Sequence, residues 1–413
     1  MGKHGWWQRL LGRPAPLETA DRERDAPRSV RPDVEFSSRV EPAFAVALYG
    51  RLATQPGNLF FSPASIRMAL AMAYAGARGR TAEQMATVLC LPPGDEVHAE
   101  MAAQLDAWGV PSASDGTPPS SRARAMLRMV NRLWAQRGGP FVEAFLVRLS
   151  DSYRAPLGSL DFMRAPELSR EAINRWVSEQ TAHEIKDMIE PGGIDAATRL
   201  VLTNAVLFKG KWTEPFDRSL TRTGTFFADA NHAVRVPFLF QSGTFRIAQF
   251  PGGQLLELPY GNGELVMDLL LPDARDGLPQ IEQQLCQGAL AGWLDGAQSD
   301  SAVVSIPRFQ ISSMFNLAAV LRELGMVDAF TSPGASFSGI DGTEELYLSE
   351  VLHRAVVEVD EQGTKAAAAT TAVSTVLGII ELPEFRADHP FVFLIRDPQS
   401  GAIVFLGRVT DPS

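Results

Sequence analysis

Cysteine is scarce: 413 residues carry only Cys90 and Cys286, far apart in the chain, so no disulfide framework is implied and two free thiols in apolar surroundings are expected. Positive charge is also in deficit, with 38 lysines and arginines against 48 aspartates and glutamates and a formal net charge of -10. A nucleic-acid binder would need a basic stripe, and a membrane-surface protein a polybasic run; neither is present. Arg122, Arg124 and Arg128 make the nearest approach to a cluster, and they read as a solvated face rather than a polyanion site. No stretch is apolar for long enough to cross a membrane. The start of the chain, with Trp6, Trp7, Leu10 and Leu11 among basic residues, lacks the continuous apolar core of a signal peptide, so a cytoplasmic location is favoured and an extracellular one stays open.

Catalytic signatures are missing too. There is no Gly-x-Ser-x-Gly elbow, no Gly-x-x-x-x-Gly-Lys phosphate loop, and no Cys-x-x-Cys or His-Glu-x-x-His metal pattern. His98 with Glu100, and His183 with Glu184, have no sequence partners that would complete a site, so neither a metal nor a cofactor is called for. A hydrolase assembled from distant residues is the rival class, and it predicts intrinsic turnover of ester or peptide substrates.

What is present suits one large globular domain: 45% hydrophobic and 21% charged residues are ample for a sizeable core. Residues up to about Asp33 are rich in proline, arginine, aspartate and glutamate, so 1–36 reads as a disordered arm and 37–413 as the domain. The layout is α+β, with helices dominating the first half and strands the second. Ser62 is a credible N-cap before Pro63, with Ile66, Leu70 and Ala73 at helical spacing; Thr81 and Gln84 spell a capping box before Met85, Val88 and Leu89. Ile173, Trp176 and Val177 mark another amphipathic helix, and 109–121 is a loop. Phe391–Ile395 and Ile403–Leu406, separated by Asp397-Pro398-Gln399-Ser400-Gly401, form a buried hairpin.

The most informative stretch runs from Glu361 through Gly363, Thr364, Lys365 and Ala366-Ala367-Ala368-Ala369 to Thr371, with no large apolar side chain and no proline. It follows a half-buried strand pattern at 355–360 and precedes about twenty residues without hydrophobic periodicity. By composition an alanine run also fits a short helix or a solvated linker. Were it to become a strand, Thr364, Ala366, Ala368, Thr370, Ala372 and Ser374 would share one face and Lys365 the other, with no strand breaker from Thr364 to Leu377.

This hinge, together with Phe385-Arg386-Ala387-Asp388-His389-Pro390-Phe391 downstream, resembles the reactive-loop region of inhibitory serpins. The resemblance extends from about Val40 to Thr410. It is carried by Asn58-Leu59-Phe60-Phe61-Ser62-Pro63, Asn131-Arg132-Leu133-Trp134, Leu202-Thr203-Asn204-Ala205-Val206, Phe208-Lys209-Gly210, Trp212, Pro215-Phe216, Ile306-Pro307-Arg308-Phe309 and Ser349 with His353-Arg354-Ala355. It implies a serpin-like fold, about nine helices around three β-sheets with an exposed reactive-centre loop at about 361–385. It also implies a native sheet with a vacancy between two central strands, and a monomer whose partner is a serine protease trapped as a covalent complex.

The family's spacing from the hinge glutamate places the reactive bond at Leu377-Gly378, and a one-residue shift would present Val376. A branched apolar residue there suits chymotrypsin-, elastase- or subtilisin-like proteases and not a trypsin-like pocket. The loop length resembles that of the ovalbumin branch. By the same resemblance Ser62, Ser65, Asn204 and His353 form a polar shutter beneath the sheet, and Trp212 with Glu361 forms the breach where insertion starts. The alternative within the family is a non-inhibitory member acting as a binding or chaperone module; those typically carry bulky, charged or proline residues in the hinge, whereas here the one departure is Lys365, where many inhibitors carry glutamate, at a position that would face outward and tolerate either sign.

Overall fold

Ser62 lies in extended backbone (φ -112°, ψ 97°) and its hydroxyl accepts the Ser65 N–H, so the helix that follows begins with Pro63, where no intrahelical donor is needed. Every residue of that helix from Pro63 to Ala73 is buried. Around it the rest of the molecule is assembled. The structure, a computed structural model, describes residues 34–92, 94–110, 127–363 and 382–413, of which Glu35–Ser413 belong to one compact unit.

The first half holds α1 (Val34–Leu52), β1 (Leu59–Phe61), α2 (Pro63–Tyr74), α3 (Gly79–Leu89), α4 (Glu96–Ala107), β2 (Leu127–Gln136), α5 (Glu143–Tyr153), β3 (Gly158–Leu160), α6 (Pro166–Gln180) and β4 (Leu200–Phe208). The second half holds β5 (Arg222–Phe227), β6 (Ala233–Phe250), β7 (Gly253–Tyr260), β8 (Leu265–Pro272), α7 (Leu278–Cys286), α8 (Leu290–Asp295), β9 (Gln298–Pro307) and β10 (Phe309–Asn316). It closes with α9 (Ala318–Glu323), α10 (Ser338–Asp341), β11 (Leu348–Val359), β12 (Glu384–Arg386), β13 (Phe391–Arg396) and β14 (Ile403–Val409). The arrangement is the α+β one read from the sequence.

Among the described residues the strands form two hydrogen-bonded sheets, one of nine strands in the order β1-β14-β13-β8-β7-β6-β9-β12 with β5 on β6, and one of five in the order β10-β11-β4-β2-β3. Two rather than three are counted because β6 runs for 18 residues, pairing β5 at one end, β7 at the other and β9 in between. One long strand thus fuses what would otherwise be separate sheets.

The five-stranded sheet is covered on both faces, as near-continuous burial of β4 requires. Odd-numbered β11 residues such as Val351, Ala355 and Val357, and the even-numbered β4 residues Leu202 and Val206, face the main core with α2. Leu352, Val201, Ala205, Val130 and Trp134 face a second core closed by Ile173 and Val177 of α6 and by Ile185, Met188 and Ile189 after it. At the centre of the sheet, β4 and β11 run parallel and pair directly over Leu348–Val356. The expected vacancy is therefore filled: the two strands satisfy each other's backbone groups, which a buried pair of open edges could not leave unmet.

Two local expectations are corrected. Thr81 and Gln84 form no capping box; α3 starts at Gly79 after Arg78 with no side-chain cap. Tertiary donors claim both side chains, Thr81 Oγ1 accepting from Ser336 N (3.0 Å) and Gln84 Oε1 from Val327 N (2.9 Å) and Asp328 N (2.8 Å). The two thiols are free, but Cys286 is exposed and Cys90 half-buried rather than enclosed in apolar core, Cys90 being spent on the left-handed cap of α3 (φ 50°).

Candidate functional site

Register places Asn131 of β2, Asn204 of β4 and His353 of β11 in one row across the five-stranded sheet, on the face toward α2. Their side chains join. Asn204 Nδ2 donates to Asn131 Oδ1 and Ser65 Oγ, and Asn204 Oδ1 accepts from His353 Nδ1. His353 Nε2 accepts the Ser62 N–H at 3.1 Å, while Ser62 Oγ donates to Val404 O at 2.6 Å. The partners fix the tautomer: Nδ1 carries the proton and Nε2 is bare. The ring also stacks on Phe315 of β10, centroids 6.5 Å apart at 8°. The four polar residues singled out from the sequence are thus in contact, and the His353–Asn204 bond crosses the β4–β11 seam.

Complete burial pushes the His353 imidazole down to about 3, from an ordinary value of 6.5. No charged side chain is bonded to it among the described residues. Its folded-state value is depressed, so the unfolded chain takes up a proton below about pH 6.5 that the native state refuses until about pH 3. This contribution is present in full above pH 6.5 and is lost on acidification at up to about 1.4 kcal/mol per pH unit. We predict that the melting temperature of the wild type falls more steeply between pH 6.5 and 4 than that of His353→Phe. Comparing the two proteins cancels the matching contribution of His98, which burial lowers to about 4, and the opposing one of Asp268, which burial raises to about 7. Parallel curves would contradict the assignment.

A second constellation sits at the head of the seam, where β11 ends. Asp360 and Gly363 exchange both backbone hydrogen bonds (2.8 and 3.2 Å), and Gly363 also bridges antiparallel to Lys211, just past β4. The chain therefore turns between Asp360 and Gly363, and Gly363 lies antiparallel to the segment that continues β4. Only glycine fits: φ is 127°, and a Cβ would lie 2.2 Å from Gly210 O and 2.6 Å from Lys211 Cα, both backbone. Trp212 pins the turn, its Nε1 donating to Asp360 O (2.9 Å) and its N–H to Gln362 O (3.1 Å), while its ring stacks on Tyr260 at 4.3 Å.

Glu361 is held beside it by Arg308 Nη2 (2.5 and 2.6 Å to the two carboxylate oxygens) and by the Thr221 hydroxyl (2.8 Å). Its side chain is 2% exposed and that of Arg308 45%, so the acid is buried and its partner reaches water. Burial works to raise this carboxyl, yet the hydrogen bonds from Arg308 and Thr221 outweigh it and hold the group below the usual carboxylate range.

Glu361 and Gly363 are the described part of the hinge. Thr364, Ala366, Ala367, Ala368, Ala369, Leu377 and Gly378 lie outside the described residues, as do Arg122 and Arg124. Sequence reasoning missed Asn131 and Phe315 in the polar row and Arg308 and Thr221 at the hinge, although Asn131 and Arg308 stand inside motifs already noticed. The His residues left without sequence partners are accounted for locally: His98 bonds Tyr153 (2.5 Å) and His183 bonds Ser178 (3.0 Å). Among the described residues no group of three or more His, Cys, Asp or Glu could hold a metal ion, and no helix is long and apolar enough to cross a membrane.

Residues 40–412 match the family model described as "Serpin (serine protease inhibitor)". The chain is 38% identical to the leukocyte elastase inhibitor of Bos taurus over 397 residues, 92% of this chain and 100% of that one. It is 39% identical to serpin B6 of Pongo abelii over 362 residues, 86% and 93% of the two chains. Among solved structures it resembles uncleaved ovalbumin with a TM-score of 0.80 and 30% identity, covering 91% of this chain and 99% of that one.

Proposed function

The chain belongs to the serpin family, and we propose that it inhibits serine proteases as a suicide substrate, cleaved at Leu377-Gly378. Cleavage frees 364–377 to continue the reversal begun at Gly363 and to enter between β4 and β11. Because these two strands are parallel, a chain turning back from β11 runs antiparallel to both. The observation that supports the reading is the parallel β4–β11 seam together with the glycine turn at its head, where Gly363 already lies antiparallel to Lys211. Fourteen residues extend about 46 Å, so a protease still esterified to Leu377 is carried the length of the sheet before water can release it.

Insertion breaks one ladder and makes two. The parallel β4–β11 pairing is exchanged for antiparallel pairing on both edges of the new strand, each added bond contributing roughly 0.5–1.5 kcal/mol net. The His353–Asn204 bond and the Trp212–Asp360 and Arg308–Glu361 contacts hold the seam and its head shut until then, which is the role proposed for the polar row and the hinge constellation.

Leu377 suits a chymotrypsin-like or subtilisin-like specificity pocket, and Val376 one residue earlier suits an elastase-like one. Incubation with chymotrypsin and with subtilisin, followed by denaturing electrophoresis, tests the mechanism. A denaturant-resistant band near the combined mass is expected; nicking with no such band would instead favour a binding or chaperone module.

A further inference from the structure

A cleft of about 380 Å³ opens beside β12, bounded by Ile247 and Gln249 of β6, Gln298 and Asp300 of β9, and Glu384 of β12. Strand lengths create it. β9 pairs with β6 from Gln298 to Pro307, but β12 covers only Val303–Ser305 of its other edge. Coverage stops where Val303 N donates to Pro383 O (2.9 Å), and residues 298–302 present that edge to no strand among the described residues. Such an edge is a ready template for another chain, guarded here by Asp300, whose carboxylate accepts the Ser301 N–H at 2.8 Å.

We propose that this cleft is a second docking site for the attacking protease, taking a cationic part of the protease surface. The occupant follows from position and charge. Gly378 and Glu384 are six residues apart, at most about 20 Å of extended chain, whereas a protease domain of roughly 200 residues has a radius of gyration of about 16 Å. A protease gripping Leu377-Gly378 is therefore within reach of the cleft. Its rim bears Asp300 and Glu384 among amide side chains. The neighbouring Arg386 stands 3.8 Å from Glu384, with both groups about half exposed, so it offsets part of that acid's charge and Asp300 carries the larger share of the rim's negative field. The chain's net charge of -10 favours the same sign of partner at long range. Apolar contacts to Ile247 would then add to an electrostatically guided encounter.

The placement rests on the reactive bond proposed above, and the test separates the two. The second-order rate of loop attack, counted as complex plus nicked product, is measured for wild type, Asp300→Arg, Glu384→Arg and the double variant. Native chymotrypsin and lysine-succinylated chymotrypsin are the probes. With native chymotrypsin the double variant is expected to react roughly tenfold more slowly, with an unchanged ratio of complex to nicked product and a flatter dependence on salt; with the succinylated enzyme it is expected to react faster than wild type. Equal rates for all variants, or the same loss with both forms of the protease, would overturn the docking site. Wild type that is nicked without forming a complex would remove the insertion mechanism, and the variant rates would still decide the cleft.

Discussion

Thr364→Arg will be cleaved at the wild-type rate and released as nicked product, with a stoichiometry of inhibition rising from near one to ten or more. Position 364 is the first after the Gly363 turn, and strand periodicity puts it on the same face as Ala366, Ala368 and Thr370. In the proposed inserted state that face would meet the core beneath the sheet, where a guanidinium would lack a partner and its burial would cost several kcal/mol. The consequence is kinetic. Insertion competes with deacylation, and every 1.4 kcal/mol added to the insertion barrier slows it about tenfold, so a modest penalty is enough to let water win. Thr364→Ala, small and neutral, should inhibit normally. Undiminished complex formation by the arginine variant, measured by stoichiometric titration, would refute insertion at this end of the loop.

His353→Phe comes next in magnitude. The ring volume and the contact with Phe315 are retained, but Ser62 N–H loses its acceptor and Asn204 Oδ1 its donor. Each orphaned buried group costs about 1–3 kcal/mol, together about 2–6 kcal/mol against the 5–15 kcal/mol of an ordinary domain. With an unfolding entropy near 2.1 cal/mol/K per residue, a unit spanning 35–413 should melt about 3–8 °C lower. Because one lost bond ties β4 to β11, the variant should also lose inhibitory capacity faster on standing, as loops insert uncut. An unchanged melting temperature together with an unchanged half-life would show that this row does not hold the seam.

Much of the fold can be read locally, and the failures share a cause. The hairpin of β13 and β14, the capped start of α2 and the buried alternation at the end of β11 each follow from residues within a few positions of one another, and each is found. Thr81 and Gln84 looked like a local cap because that spacing ordinarily is one; their real partners lie more than 240 residues downstream. Arg308 and Thr221 were invisible as partners of Glu361 for the same reason, being 53 and 140 residues away and adjacent only once β5, β9 and β11 have assembled. The polar row was legible through the family resemblance, and register supplied Asn131, which stands in a noticed motif but joins the row only through its pairing with Asn204.

The seam had to be seen rather than inferred. A strand that accepts a neighbour suggests a gap, but β4 and β11 close on each other, so on the proposed mechanism the stored energy would lie in exchanging a parallel ladder for antiparallel pairing on two edges and not in filling a hole. That exchange is the central claim, and calorimetry of intact and loop-cleaved protein tests it most directly. Cleaved protein should melt tens of degrees above intact protein, since insertion relaxes the fold; equal melting temperatures would contradict the account.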